Sequence, residues 1–268
     1  MISSSRMSLE RDGPIAALTL LRPDRGNAID LAFGAELLAA AIEIAASPIS
    51  VVIIKSSGAH FCFGGDLKEM AEATPQARQA HLLKLTSYIH TAVSHLASAP
   101  CAIVTAAVGA SAGAGFGLVL ASDLVIGGRS STFIPAFSAV GLTPDTAVSF
   151  YLPRVVGRRR AAELLLTNRS LNADEAVAWG ILNQVVADTD VIAQAETLAR
   201  RIAEGPRQAL AMTKRLLSSS LAGLENHLAK ESAAIALQGT SPEAEEGIQA
   251  FLAKRRPRFT SGGSAADR

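Results

Sequence analysis

Apolar positions recur along this chain with two different spacings, and the places where one spacing gives way to the other mark its elements. Residues 15–21, IAALTLL, form a short apolar run that stops at the charged turn Arg22-Pro23-Asp24-Arg25-Gly26-Asn27, which predicts a strand. After Asp30 the apolar residues, Leu31, Leu38 and Ile42 among them, fall on one helical face. Asp30 is expected to cap that helix, and Ser47-Pro48 to end it near residue 46. The uninterrupted VVIIK at 51–55 predicts a strand buried on both faces. FCFGGDLK at 61–68 predicts a strand edge and a paired-glycine turn opening a helix, and 75–98 a long helix that carries His81, His90 and His95.

The central stretch, 101–123, organises the remainder. A β-branched run at 103–108 passes through Gly109, Gly113, Gly115 and Gly117 into Leu118–Leu120 and ends on Ser122-Asp123, which predicts strand, glycine-rich turn and helix start. Beyond it, 124–126 reads as a strand, Thr143-Pro144-Asp145 as the first turn of a helix, and 158–167 as another helix. A short helix opens at Asn172 and ends at Gly180, and a strand follows at 181–186. From about residue 190 the pattern is helical throughout, with starts at Gly205-Pro206 and Ser241-Pro242.

Composition narrows the chemistry. Of 268 residues 49% are hydrophobic, enough for a large core with apolar surface left for subunit contacts. A net charge of +1 and 4% aromatics exclude nucleic acid as the main partner. Cys62 and Cys101 lack metal-ligand spacing and read as buried thiols in a reducing compartment; with no apolar signal segment in the first residues, a cytoplasmic protein is expected.

Four functions compete for the central stretch. A membrane span fits its length, but glycines occupy the middle and no aromatic or basic belt flanks it. A nucleophile elbow fits Gly109-Ala110-Ser111-Ala112-Gly113, but His227 is the single histidine after Ser111 and lies in a polar helical stretch. A dinucleotide loop fails because Leu118 stands where its last glycine belongs. An oxyanion hole at the helix start fits, but needs a second donor from elsewhere.

Taken in order, Arg22-Pro23…Asn27-Ala28, FCFGGDLKEM at 61–70, GASAGAG…ASD, GLTPD…LPRVVG at 141–157, LTNRSLNADEAVAWGILNQVV at 166–186 and FLAKRRPRF at 251–259 resemble the enoyl-CoA hydratase/isomerase (crotonase) family. The resemblance implies an α/β fold, a crotonase-like spiral of β-β-α turns with two sheets over 1–195. A helical C-terminal region over 196–260 would pack into trimers or dimers of trimers, and a disordered tail would cover 261–268. It implies an acyl group carried as its coenzyme A thioester, with no permanently bound cofactor and no metal; nucleic acid and membrane are already disfavoured by the charge and by the central glycines. The two oxyanion amides fall on Gly65 and Ala114, which supplies the missing donor. Nucleotide contacts fall on Arg25, Ala28, Gly65, Asp66, Leu67, Lys68 and Lys254.

The sequence departs from the hydratase branch. Its two glutamate positions are Gly117 and Phe137 here, and neither moves a proton. Asp145 is the remaining acid, placed where some double-bond isomerases carry a catalytic aspartate. In the 4-chlorobenzoyl-CoA dehalogenase branch an aspartate there is the nucleophile, with a histidine on the preceding long helix as base, and His90 aligns with that histidine. Phe137 stands in place of the tryptophan that orients the dehalogenase aspartate. Phe63, Phe133 and Phe137 are expected to line the acyl side, His60 to be a turn residue and Trp179 to fill the core.

Overall fold

The computed structural model describes residues 2–3, 6–219 and 221–259; the 261–268 tail lies outside them. In chain order its strands are β1 (Ile2–Ser3), β2 (Met7–Asp12), β3 (Ile15–Leu20), β4 (Val51–Ser56), β5 (Ala102–Ala107), β6 (Ala110–Ala112), β7 (Leu124–Gly128), β8 (Thr132–Ile134), β9 (Leu171–Asn172) and β10 (Gln184–Val186). The helices are α1 (Leu31–Ala46), α2 (Leu67–Glu72), α3 (Pro75–Ser98), α4 (Ala114–Leu120), α5 (Val148–Val156), α6 (Arg158–Thr167), α7 (Ala173–Ala178), α8 (Val191–Ala203), α9 (Arg207–Ser219), α10 (Leu224–Gln238) and α11 (Pro242–Leu252).

Local chemistry sets the boundaries. The Asp30 carboxylate accepts the Phe33 N–H and starts α1; Thr74 and Pro75 start α3; Asn172 and Glu175 form a reciprocal cap on α7. The large sheet runs β1-β2-β3-β4-β5-β7-β10, antiparallel up to β3 and parallel from there on. The pairing of β1 and β2 with β3 was not read from sequence, because β2 turns polar after Leu9. β4 alternates between two cores: Val52 and Ile54 join the main cluster with α1 and α3, while Val51 and Ile53 face Val191, Ala195 and Ala199 of α8. That is the two-sided burial its unbroken apolar run required.

The second sheet, β6-β8-β9, is small, and it is where the chain crosses the glycine-rich centre. The spiral of strand–strand–helix turns and the helical C-terminal region are both present. Among the described residues no helix is long and apolar enough to cross a membrane. Trp179 only partly enters the core: it caps α7 with the guanidinium of Arg160 4.8 Å and that of Arg169 5.2 Å from its ring centroid.

Candidate active site

Two backbone segments meet at the candidate oxyanion hole. β6 pulls in 61–64, since the Ala110 carbonyl accepts the N–H groups of Phe61 and Cys62 and the Cys62 carbonyl accepts that of Ala112. On its other side the same segment is bound to residues 26–29. Ile29 N–H donates to the Gly64 carbonyl and Asp66 N–H to the Ile29 carbonyl, so Gly65 faces away from that strand with its own N–H unspent. Ala114 is the first residue of α4, where an N–H has no intrahelical acceptor. Among the described residues no hydrogen bond uses either N–H.

Gly64 brings the two segments together. It adopts φ +81°, and a Cβ there would stand 2.7 Å from the Ala112 carbonyl oxygen and 3.0 Å from the Ala114 nitrogen. Cys62 steadies the turn from beneath: its thiol donates to the Asn27 carbonyl at 3.2 Å and its Sγ accepts the Gly64 N–H at 3.4 Å. Complete burial pushes that thiol up to about 12, so it stays protonated.

Asp145 does not lie in the first turn of a helix, as the sequence predicted. Thr146 and Ala147 both take left-handed backbone angles, φ 54° and 59°, and α5 begins only at Val148. This double bend turns Asp145 inward, to 7% exposure. Its Oδ1 is hydrogen-bonded to Nε2 of His90, a buried residue of α3, and its Oδ2 accepts weakly from the Thr146 hydroxyl at 3.4 Å. Thr146 itself abuts α4: a Cβ on Gly117 would lie 2.4 Å from the Thr146 carbonyl oxygen. Gly117 follows Ala114 by three residues, roughly 4.5 Å along the helix axis. Asp145 is therefore held against the helix whose first amide is the candidate donor.

Glu231 of α10 completes the buried cluster and was not read from sequence. Donor atoms of His90, Asp145 and Glu231 all lie within 4.8 Å of one another. Glu231 accepts the Ala147 N–H at 2.7 Å, the Ser149 N–H at 3.0 Å and the Ser149 hydroxyl. Burial, with the Asp145 charge nearby, raises the Glu231 carboxyl above its ordinary value against these hydrogen bonds. Burial opposes charge on His90, but its hydrogen bond to Asp145, the two carboxylates and a bond to the Leu228 backbone leave the imidazole raised overall. A divalent ion here would have to replace the His90–Asp145 hydrogen bond, and Glu231 is already committed to two amides and a hydroxyl, so the donor set suits a proton network better than a metal. A groove of about 760 Å³ between α3 and α10 also reaches His90, past Ser87, Thr91, Ser94 and Asn226; neither Gly65 nor Ala114 lines it.

The other sequence candidates fall into place unevenly. Arg25 and Lys68 are exposed, Leu67 is half-buried, and Asp66 caps α2. The residue that ties this rim together is Arg22, which pairs with Asp30 at 2.8 Å and Asp66 at 3.4 Å and donates to the Ala28 carbonyl at 2.7 Å. Lys254 is exposed just beyond α11. His60 does more than fill a turn: its Nδ1 accepts the Ala110 N–H at 3.2 Å and its ring packs on Phe63. Phe63 is 45% exposed and packs on His60, whereas Phe133 is fully buried against Phe116 in the core. Phe137 does approach the site, 4.0 Å from where a Cβ on Gly113 would stand.

Ser111 is no nucleophile elbow. It sits in β6, wholly buried, with no hydrogen-bond partner for its hydroxyl, while His227 bonds Ser149 instead.

A sequence profile described as Enoyl-CoA hydratase/isomerase matches residues 10–262. The chain belongs to that family. It is 35% identical over 249 residues to the 1,2-epoxyphenylacetyl-CoA isomerase of Escherichia coli (strain K12), covering 92% of this chain and 95% of the relative. It is 32% identical over 254 residues to a 4-chlorobenzoyl coenzyme A dehalogenase of Arthrobacter sp, covering 94% and 92%. Among solved structures, an enoyl-CoA hydratase from Mycobacterium avium subsp. paratuberculosis K-10 superposes with a TM-score of 0.88 at 28% identity, over 97% of this chain and all of that one. These family members divide among isomerase, dehalogenase and hydratase, so family membership fixes the fold and the enzyme class and leaves the reaction to the side chains.

Proposed function

We propose that this enzyme moves a double bond within an acyl-CoA thioester. The N–H groups of Gly65 and Ala114 receive the thioester oxygen, and an enolate forms there. Such a donor contributes about 3–4 kcal/mol to the barrier reduction. Asp145, hydrogen-bonded to His90, takes a proton from one carbon and returns it to another. No permanently bound cofactor is needed, because main-chain amides and one acid–base pair carry every step. The observation that supports this most directly is the buried Asp145–His90 pair held against α4 by the Gly117–Thr146 contact.

A second reading has an observation of its own. A carboxylate beside a buried histidine also suits dehalogenase-like substitution, with Asp145 as nucleophile and His90 activating water. Phe137 weighs against it, since a phenyl ring offers no N–H to aim the carboxylate. Hydration is disfavoured because Gly117 and Phe137 leave no acid pair around a water. Assembly into trimers or dimers of trimers is the expected state, supported by the exposed apolar residues Met212, Leu216, Leu237 and Phe251 of the C-terminal helices.

Purified protein is to be offered short enoyl-CoA thioesters and 4-chlorobenzoyl-CoA. Double-bond migration without water uptake is the expected outcome, and Asp145→Asn is expected to slow it by about 10² or more. Chloride release with no migration would transfer the assignment to substitution.

A further inference from the structure

A chain of hydrogen bonds leads from the buried pair towards the surface, and the isomerase reading alone has no use for it. His227 Nε2 lies 2.7 Å from the Ser149 hydroxyl, which is hydrogen-bonded in turn to Glu231 Oε1. Glu231 is 4% exposed and His227 34%. From Glu231 the remaining step to the His90–Asp145 pair is at most 4.8 Å, a gap that one bridging water or a small swing of the carboxylate closes.

Glu231 has a structural duty, accepting the Ala147 and Ser149 N–H groups where α5 starts. The cap explains those two contacts. It does not explain why the Ser149 hydroxyl joins Glu231 to a histidine, nor why that histidine lies at the protein surface. Burial, and the nearby charges of Arg154 and Lys230, hold the His227 imidazole below its ordinary value and keep a lone pair free at neutral pH.

We infer that Glu231, Ser149 and His227 form a proton relay that exchanges the substrate-derived proton on the Asp145–His90 pair with solvent. The transfer balances at each step. The proton taken from the substrate carbon passes from the pair to a Glu231 oxygen, and Glu231 gives its proton to Ser149 Oγ as the serine hydroxyl proton passes to His227 Nε2. His227 then releases a proton to water, and the reverse sequence recharges the pair. None of the three touches substrate; they act through the pair.

The inference rests on the isomerase reading, and the test separates the two. A 3-enoyl-CoA and a saturated acyl-CoA of the same length are incubated with the enzyme in D2O, and deuterium gained per double bond moved is read by mass spectrometry. Wild type is expected to place solvent deuterium in the product and at the α-carbon of the saturated thioester. In His227→Ala and Ser149→Ala that ratio is expected to fall by about tenfold or more, as the same proton is handed back. Added imidazole is expected to restore the ratio in His227→Ala, because position 227 is open to solvent, and a merely structural defect would not respond to it. An unchanged ratio in both variants would overturn the relay and assign exchange to the groove at His90. A wild type that neither moves the double bond nor exchanges the α-proton would overturn the isomerase reading, and the relay with it.

Discussion

The proton count on His90 follows from its surroundings. One ring nitrogen meets Asp145 and the ring also bonds the Leu228 backbone, so acceptors favour the doubly protonated imidazole. Its folded-state value is raised, hence folding takes up a proton there. That contribution to stability is complete below the ordinary histidine value of 6.5 and is lost as pH rises through the folded value. Glu231 is raised as well and acts with the same sign from 4.5 upward, whereas His227 is lowered and acts oppositely. Urea unfolding between about pH 6 and 8 is expected to show wild type losing stability relative to His90→Gln as pH rises. Because the His90 charge also lowers Glu231, the pair is compared in a Glu231→Gln background, where a constant difference would contradict the assignment. None of this was legible from residue 90 alone. A histidine in a helical pattern looks the same whether it faces water or an acid 55 positions further on.

Among elements, α3 shows what pattern reading gains and loses. The helix expected over 75–98 is the one observed, and the structure adds the Thr74 cap at its start. Arg78, one turn in, belongs to no motif that the sequence offers, yet it is 1% exposed. Its guanidinium donates to the carbonyls of Met70, Ala73 and Gly239 and pairs with Glu245 at 2.7 Å, so it fastens α2 and α3 to the α10–α11 turn. Arg78→Leu is expected to cost about 2–4 kcal/mol in chemical denaturation, because it leaves three carbonyls without their donor, while the 41% exposed Glu245 carboxylate stays hydrated. A loss near that of a surface substitution would show that the clamp is dispensable. The 143–147 bend was illegible for a different reason. Proline and aspartate are ordinary helix-start residues, and nothing in Thr146 or Ala147 advertises left-handed backbone, a conformation common in glycine and rare in their types. By contrast, the glycines at 64, 113 and 115 announced a close approach of two backbones, and the structure places one there.

For the whole molecule, the apolar runs marked single strands and the two-sided burial of β4, while the spiral with its two sheets was expected from the family resemblance; the sheet order itself was not legible, because pairing between distant strands leaves no local pattern. The apolar residues left outside on the C-terminal helices make a claim about assembly. Sedimentation equilibrium is expected to return three or six times the 27.8 kDa chain mass, and Leu216→Glu to shift it towards one. A wild type that stays at one chain mass at every concentration would remove the assembly proposal while leaving the site geometry intact.

The fit between Gly117 and the Thr146 backbone carries a lesson for anyone redesigning this enzyme. The family resemblance puts one of the two hydratase glutamates at the position of Gly117. Here a side chain of any size would collide with main chain, which yields far less readily than a neighbouring rotamer. Converting the reaction is thus out of reach of a point change at 117 and requires the 143–147 segment to be exchanged as a unit. That barrier couples the choice of chemistry to the path of the backbone, and it predicts that variants evolved towards hydration will first alter the loop and only afterwards the glycine.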